Sequence, residues 1–163
     1  MSNIKIAYGT ATAIANAIQS LATSSTWIAG YESDWVDNSA NLYADYELSG
    51  KVTVGTTPTI NTEIRLFIVC SIDGTTYPDV FDGTTGAETV TSEGVRDGFA
   101  LLVKSLRVDS TTSNREYPFF IPSLFYGCAP TKWCVFTAHN SGVNLNSTGG
   151  NHVFTQRGIY YTN

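Results

Sequence analysis

The sequence predicts an all-β protein, an antiparallel β-sandwich with the jelly roll as its expected topology, and three observations carry that prediction. Apolar residues recur at every second position through several long runs. Clusters of Gly, Pro, Asn, Asp and Ser separate those runs. No segment of helical period is long enough to act as a crossover between parallel strands.

The chain has 163 residues and is 42% hydrophobic, enough for one globular domain with a sizeable core. Only 14% of its residues are charged, against roughly 25% in an ordinary soluble domain, so Thr, Ser, Asn, Gly and Tyr must form most of the surface. Such a surface suits a protein that lives against other subunits. The net charge of -5 offers no basic stripe for a phosphate backbone, and nucleic acid is not an expected partner. The three cysteines, Cys70, Cys128 and Cys134, cannot all pair. That odd count argues against a disulfide framework and for synthesis in a reducing cytoplasm, with a Cys128–Cys134 bridge left open. No signal-peptide pattern opens the sequence, and no apolar run approaches the roughly 20 residues of a membrane span.

Taken in order, residues 1–25 form an N-terminal arm or short helix ahead of a single sandwich domain over residues 26–163. Ile4, Ile6 and Tyr8 alternate like a strand, whereas Ala13, Ile14, Ala17, Ile18 and Leu21 fit an amphipathic helix. An arm packed on a neighbour fits as well. Trp27, Ile28, Tyr31, Trp35 and Val36 gather bulky side chains around Gly30, then Asp37-Asn38-Ser39 turns the chain. Residues 41–72 give the clearest signal. Leu42, Ala44, Tyr46, Leu48, Val52 and Val54 share one face of a first strand; Ile64, Leu66, Ile68, Cys70 and Ile72 share one face of a second. Phe67 and Val69 make the centre of that second strand apolar on both faces. Gly55-Thr56-Thr57-Pro58 joins the two, which are expected to pair as a hairpin.

Residues 73–98, rich in Gly and Asp with Pro78 inside, are expected to form one or two long loops at one end of the domain. Residues 99–108 return to strand character with Ala100, Leu102, Leu106 and Val108 on one side. Residues 116–121 carry Pro118 and are followed by Pro122, which confines that strand to an edge or bulge. Residues 132–140 and 152–161 supply two final strands around a Gly-Asn-Ser loop, for about eight strands in all.

No catalytic constellation emerges, and an enzyme is not expected. Asp73, Asp79, Asp82, Glu88 and Glu93 lack the spacing of a calcium loop and read as turn and surface acids. His139 and His152 bracket the last two strands, but two imidazoles without a third ligand make a poor zinc site. Cys134 and His139 lie five apart on one strand and so point to opposite faces, which excludes a thiol–imidazole pair. No Gly-x-Ser-x-Gly elbow and no phosphate-binding glycine loop occurs. No metal or cofactor is expected. Trp27, Trp35, Trp133 and the tyrosines read as core or subunit interface before sugar platforms.

Three stretches taken together resemble a group of small virion proteins of tailed bacteriophages. They are Ala29-Gly30-Tyr31-Glu32-Ser33 leading to Val36-Asp37-Asn38, then Tyr77-Pro78-Asp79-Val80-Phe81-Asp82-Gly83, and His139-Asn140-Ser141-Gly142-Val143 through Gly149-Gly150-Asn151-His152. The resemblance implies a structural virion component made in the host cytoplasm, with head decoration or cement protein as the first choice. Its implied partners are the major capsid protein and neighbouring virion subunits, including further copies of itself. The alternative is a tail or fibre module that binds host glycans. Assembly contacts are expected from Ile4, Ile6 and Tyr8 in the arm and from Tyr77, Asp79, Phe81 and Asp82 in the long loop.

Overall fold

The computed structural model describes residues 3–163; the first two residues of the expected arm lie outside the described residues. Two antiparallel sheets pack face to face. The chain runs through β1 (Lys5–Tyr8), β2 (Thr12–Ile14), β3 (Ala29–Glu32), β4 (Val36–Asp37), β5 (Asp45–Thr53) and β6 (Thr62–Ser71). It continues through β7 (Gly86–Thr89), the helix α1 (Glu93–Phe99), β8 (Ala100–Val108), β9 (Glu116–Ile121), β10 (Lys132–His139) and β11 (Val153–Thr162). Sheet A has the order β1-β11-β5-β9, with β2 on β11 beside β1; sheet B has the order β7-β3-β10-β6-β8, with β4 on β10.

The pairing is nested. β1 and β2 pair with β11, β3 and β4 with β10, β5 with β9, and β6 with β8. The first half of the chain thus meets the second half in reverse order, and β7 and α1 lie at the tip of this doubled ribbon. The ribbon rolls up so that β11 joins β5 and β10 joins β6.

This arrangement corrects the hairpin expected over residues 41–72. Both strands form, and Tyr46, Leu48, Val52 and Val54 face Ile64, Leu66 and Ile68 across one core. They lie in different sheets, so they meet through side chains and not through a ladder. Alternation tells which face of a strand is buried; it carries no information on which strand lies alongside. Leu42 and Ile72, placed on those faces, fall outside the strands and are exposed.

A second correction concerns β8. The ladder between β6 and β8 shifts register at Leu66/Phe67, where Leu66 opposes Lys104 and Phe67 opposes Leu102. Val103 is therefore an extra residue, a bulge that flips the faces. Leu106 and Val108 point inward, whereas Leu102 and Ala100 share the outer face with Phe67 and Val69. Pro118 lies on β9, an edge strand as the sequence requires.

Sheet B is buried on both faces. Its outer side holds a second core of Phe67, Val69, Cys134, Phe136 and Ala138, covered by Phe81 and Val90. Residues 73–98 thus form a third layer over the sheet and not loops at one end. Apolar residues on both faces of β6 required some such cover. Ser92 caps α1 by accepting from the Val95 amide. The buried Arg96 then ties the layer down, donating to the carbonyls of Thr26 and Trp27 at 2.9 and 3.0 Å and stacking 4.8 Å from the Phe67 ring.

Among the described residues, the N-terminal segment forms two short strands and no helix. Ile14 and Ile18 enter the main core, because β2 lays Ile14 opposite Phe154. Helical spacing here came from a strand followed by an irregular stretch that brings Ile18 back to the same core.

Candidate functional site

The edge of sheet A is the most exposed apolar feature among the expected contact residues. Gly9 and Gly158 sit opposite each other, the Gly9 amide donating to the Gly158 carbonyl at 2.9 Å. A Cβ at either glycine would collide with Tyr43, at 2.5 Å from its hydroxyl and 2.0 Å from its ring respectively. The two glycines leave a slot that Tyr43 fills, and this seats β1 on β11. Tyr43 in turn packs edge-on against Tyr46 and tilted against Tyr160.

On the outer face, Ile4, Ile6 and Tyr8 are 73%, 60% and 48% exposed, and Tyr161, opposite Ile6, is 62% exposed. Arg157 stacks 4.4 Å from the Tyr8 ring and pairs with Glu47, so the charges beside this patch are already matched. The structure therefore brings Ile4, Ile6 and Tyr8 together as one surface.

The four loop residues are placed differently. Phe81 is buried between Phe99 and Phe136, with ring centroids 5.6 and 5.4 Å away. It seals the second core and offers nothing to a neighbour. Tyr77 is half-buried, edge-on to Trp35 at 4.7 Å, with its hydroxyl donating to the Gly74 carbonyl. Asp79 and Asp82 are exposed but already bonded: Asp79 accepts from the amide and hydroxyl of Thr91, twelve residues on, and Asp82 closes a local turn by accepting from the Thr84 amide. Hydrogen bonds from Thr91 hold the Asp79 carboxyl below its ordinary pKa. The loop residues belong to the cover of sheet B, the arm residues to the edge of sheet A.

The other residues weighed for chemistry have structural partners. Asp73 accepts from the amides of Thr75 and Thr76 and from the Thr76 hydroxyl, and the Thr76 bonds hold its carboxyl well below the usual range. Among the described residues, no group of three or more His, Cys, Asp or Glu could hold a metal ion. His139 contacts Ser141 Oγ and the Leu21 carbonyl, and His152 the Asn146 carbonyl. Burial lowers the pKa of both. All three cysteines are free; burial pushes Cys70 up to about 11 and Cys134 well above its ordinary value.

Two features escaped the sequence reading. Glu32 is completely buried on the outer face of sheet B. One of its oxygens accepts from the Trp35 indole and the other, Oε2, has no hydrogen-bond partner. Burial, followed by repulsion from Glu88 and Asp82, raises its pKa to about 7 against the Trp35 hydrogen bond. The only signal was an acid in an apolar, aromatic stretch. The second feature is a seam between β8 and the end of β9 with the turn that follows it, where Leu101, Leu102 and Tyr126 are exposed beside Ile121 and Leu124. The adjacent leucines, which break the alternation, marked it. An open groove of about 380 Å³ also lies between residues 17–23 and the β3/β7 edge, lined by Gln19, Tyr31, Glu88 and Thr89 among others.

Among the described residues, no helix is long and apolar enough to cross a membrane. No protein-family model matches the chain, and no curated protein matches its sequence.

Proposed function

We propose that the chain is a structural protein of a tailed-bacteriophage virion, most specifically a head decoration or cement protein that bridges major capsid subunits. The observation that carries this reading is the apolar edge of sheet A. Ile4, Ile6, Tyr8 and Tyr161 are exposed there on a chain with only 14% charged residues, and such a patch marks an interaction site. The sandwich itself is read as a jelly roll. The order β1/β2-β11-β5-β9 facing β3-β10-β6-β8, with nested antiparallel pairing, supports a double Greek key. A module of this kind stabilises a shell by binding only the assembled lattice, which shifts the equilibrium toward that lattice. Such a role requires no catalysis, and places the protein in the virion after synthesis in the host cytoplasm.

The test is addition of purified protein to empty capsids. Binding together with a raised capsid melting temperature supports the decoration role, and Ile6→Asp should abolish both. The glycan-binding tail or fibre module is the second reading, favoured by the groove that presents Tyr31 beside Gln19 and Glu88. Glycan-array binding that Tyr31→Ala removes, without capsid binding, would replace the first reading by the second.

A further inference from the structure

We infer that β1 pairs antiparallel with β1 of a second copy of this chain, across a two-fold axis through Ile6. This names one partner within the assembly role proposed above, and it is tested without capsids. The Gly9 amide bonds the Gly158 carbonyl directly opposite, and the same register continues through Tyr8↔Ile159, Ala7↔Tyr160, Ile6↔Tyr161 and Lys5↔Thr162. Hydrogen-bonded and non-bonded pairs alternate along an antiparallel ladder. Lys5, Ala7 and Gly9 therefore turn their backbone groups toward β11. Ile6 and Tyr8, and Ile4 by the same parity, turn theirs to the open edge, where no strand pairs with them among the described residues.

The residues with free backbone groups are thus the residues with exposed apolar side chains. A two-fold axis through Ile6 matches this parity. Ile6 faces Ile6 of the second copy and Ile4 faces its Tyr8, each pair exchanging two N–H···O bonds. Lys5 then opposes Ala7, so no like charges meet. The axis also joins the patch of Ile4, Ile6, Tyr8 and Tyr161 on one copy to the same patch on the other, in one continuous sheet.

The remaining edges are better guarded. Exposed edge strands are normally blunted by charge, proline or bulges. β9 carries Glu116 and Pro118, β8 carries Lys104, Arg107 and a bulge, and β7 carries Glu88. Between residues 3 and 14, Lys5 is the single charged side chain. A self-complementary edge that carries no acid selects a second copy over a charged partner.

The experiment uses the full chain with Cys128→Ser, which removes the exposed native thiol. Opposed residues of a hydrogen-bonded antiparallel pair have Cα atoms about 5.5 Å apart, within disulfide range. Ile6→Cys should therefore oxidise to a covalent dimer at least about tenfold faster than Lys5→Cys, whose Cα faces Ala7. Lys5→Cys combined with Ala7→Cys should restore cross-linking. Ile6→Pro deletes an amide that faces outward, which edge strands tolerate; it should give a monomer in light scattering with an unchanged circular dichroism spectrum, and its melting temperature, unlike that of the wild type, should not depend on protein concentration. Equal cross-linking of Ile6→Cys and Lys5→Cys, or a wild-type protein that stays monomeric at high concentration, overturns the inference. Capsid binding by such a monomer would leave the decoration role standing and remove only the dimer.

Discussion

Replacing Glu32 by Gln should stabilise the protein above neutral pH and leave it unchanged in mild acid. Glu32 is fully covered by the third layer, with Trp35 donating to one oxygen, Glu88 and Asp82 repelling it from the layer, and Cys134 on the neighbouring strand. Its pKa stands at about 7 against an ordinary 4.5. Between those values the native chain keeps a proton that the unfolded chain has released, so stability falls as pH rises through that window and is level above it. The loss at the top of the window is up to about 3 kcal/mol. His139 and His152 tilt the profile the other way below their ordinary 6.5, because burial lowers their pKa. The difference between variant and wild type isolates Glu32. Urea unfolding followed by tryptophan fluorescence at about pH 5 and about pH 8 measures it. The two proteins should coincide at the lower pH, and Glu32→Gln should be the more stable at the higher. A difference that does not change with pH would refute the reasoning.

Four further outcomes are expected. Arg96→Met should cost about 2–4 kcal/mol, read as a lowered denaturation midpoint, since it leaves the Thr26 and Trp27 carbonyls without their donor. Phe81→Ala should cost about 3–5 kcal/mol and open the third layer, making residues 73–98 the first site of limited proteolysis. Asp45 accepts from Ser123 Oγ and the amides of Tyr46, Leu124, Phe125 and Gly127; burial alone would raise its pKa, but these bonds together lower it. The stability it supplies is present above its ordinary 3.8 and is lost as pH falls below that value, so Asp45→Asn should flatten the acid limb of the denaturation curve. Removing residues 1–10 should leave a folded domain that no longer binds capsids, whereas removing residues 1–20 should unfold it, because Ile14 and Ile18 are core; circular dichroism distinguishes the two.

The faces of the long strands were legible in the sequence because alternation is a local property. Ile64, Leu66 and Ile68 occupy the core assigned to them, and the doubly apolar Phe67 and Val69 announced a second covered face. Neighbour relations were not legible, since the nested pairing of β5 with β9 and β6 with β8 is a property of the whole chain. The bulge at Val103 was hidden for a related reason: one extra residue reverses every later face without changing composition. For Ile4, Ile6 and Tyr8, expected as contacts, alternation was enough to place them together on one exposed face. Phe81 was misplaced because a turn-rich sequence with few apolar residues reads as loop, and only the packing shows that its aromatic ring closes a core.

The pairing of β1 with β11 also sets how the protein answers a mechanical pull. Lys5 lies opposite Thr162, so the start of β1 and the finish of β11 lie side by side at the same end of their ladder. A force applied to those ends peels β1 from β11 one rung at a time, whereas a force along the strands would have to shear many rungs at once. Tethered by its termini, the protein would yield at low force by shedding its outermost strand, while the core strands β5, β6 and β10 stayed folded. A second β1 across the two-fold axis would leave this zipper in place, because it binds the opposite side of the same strand.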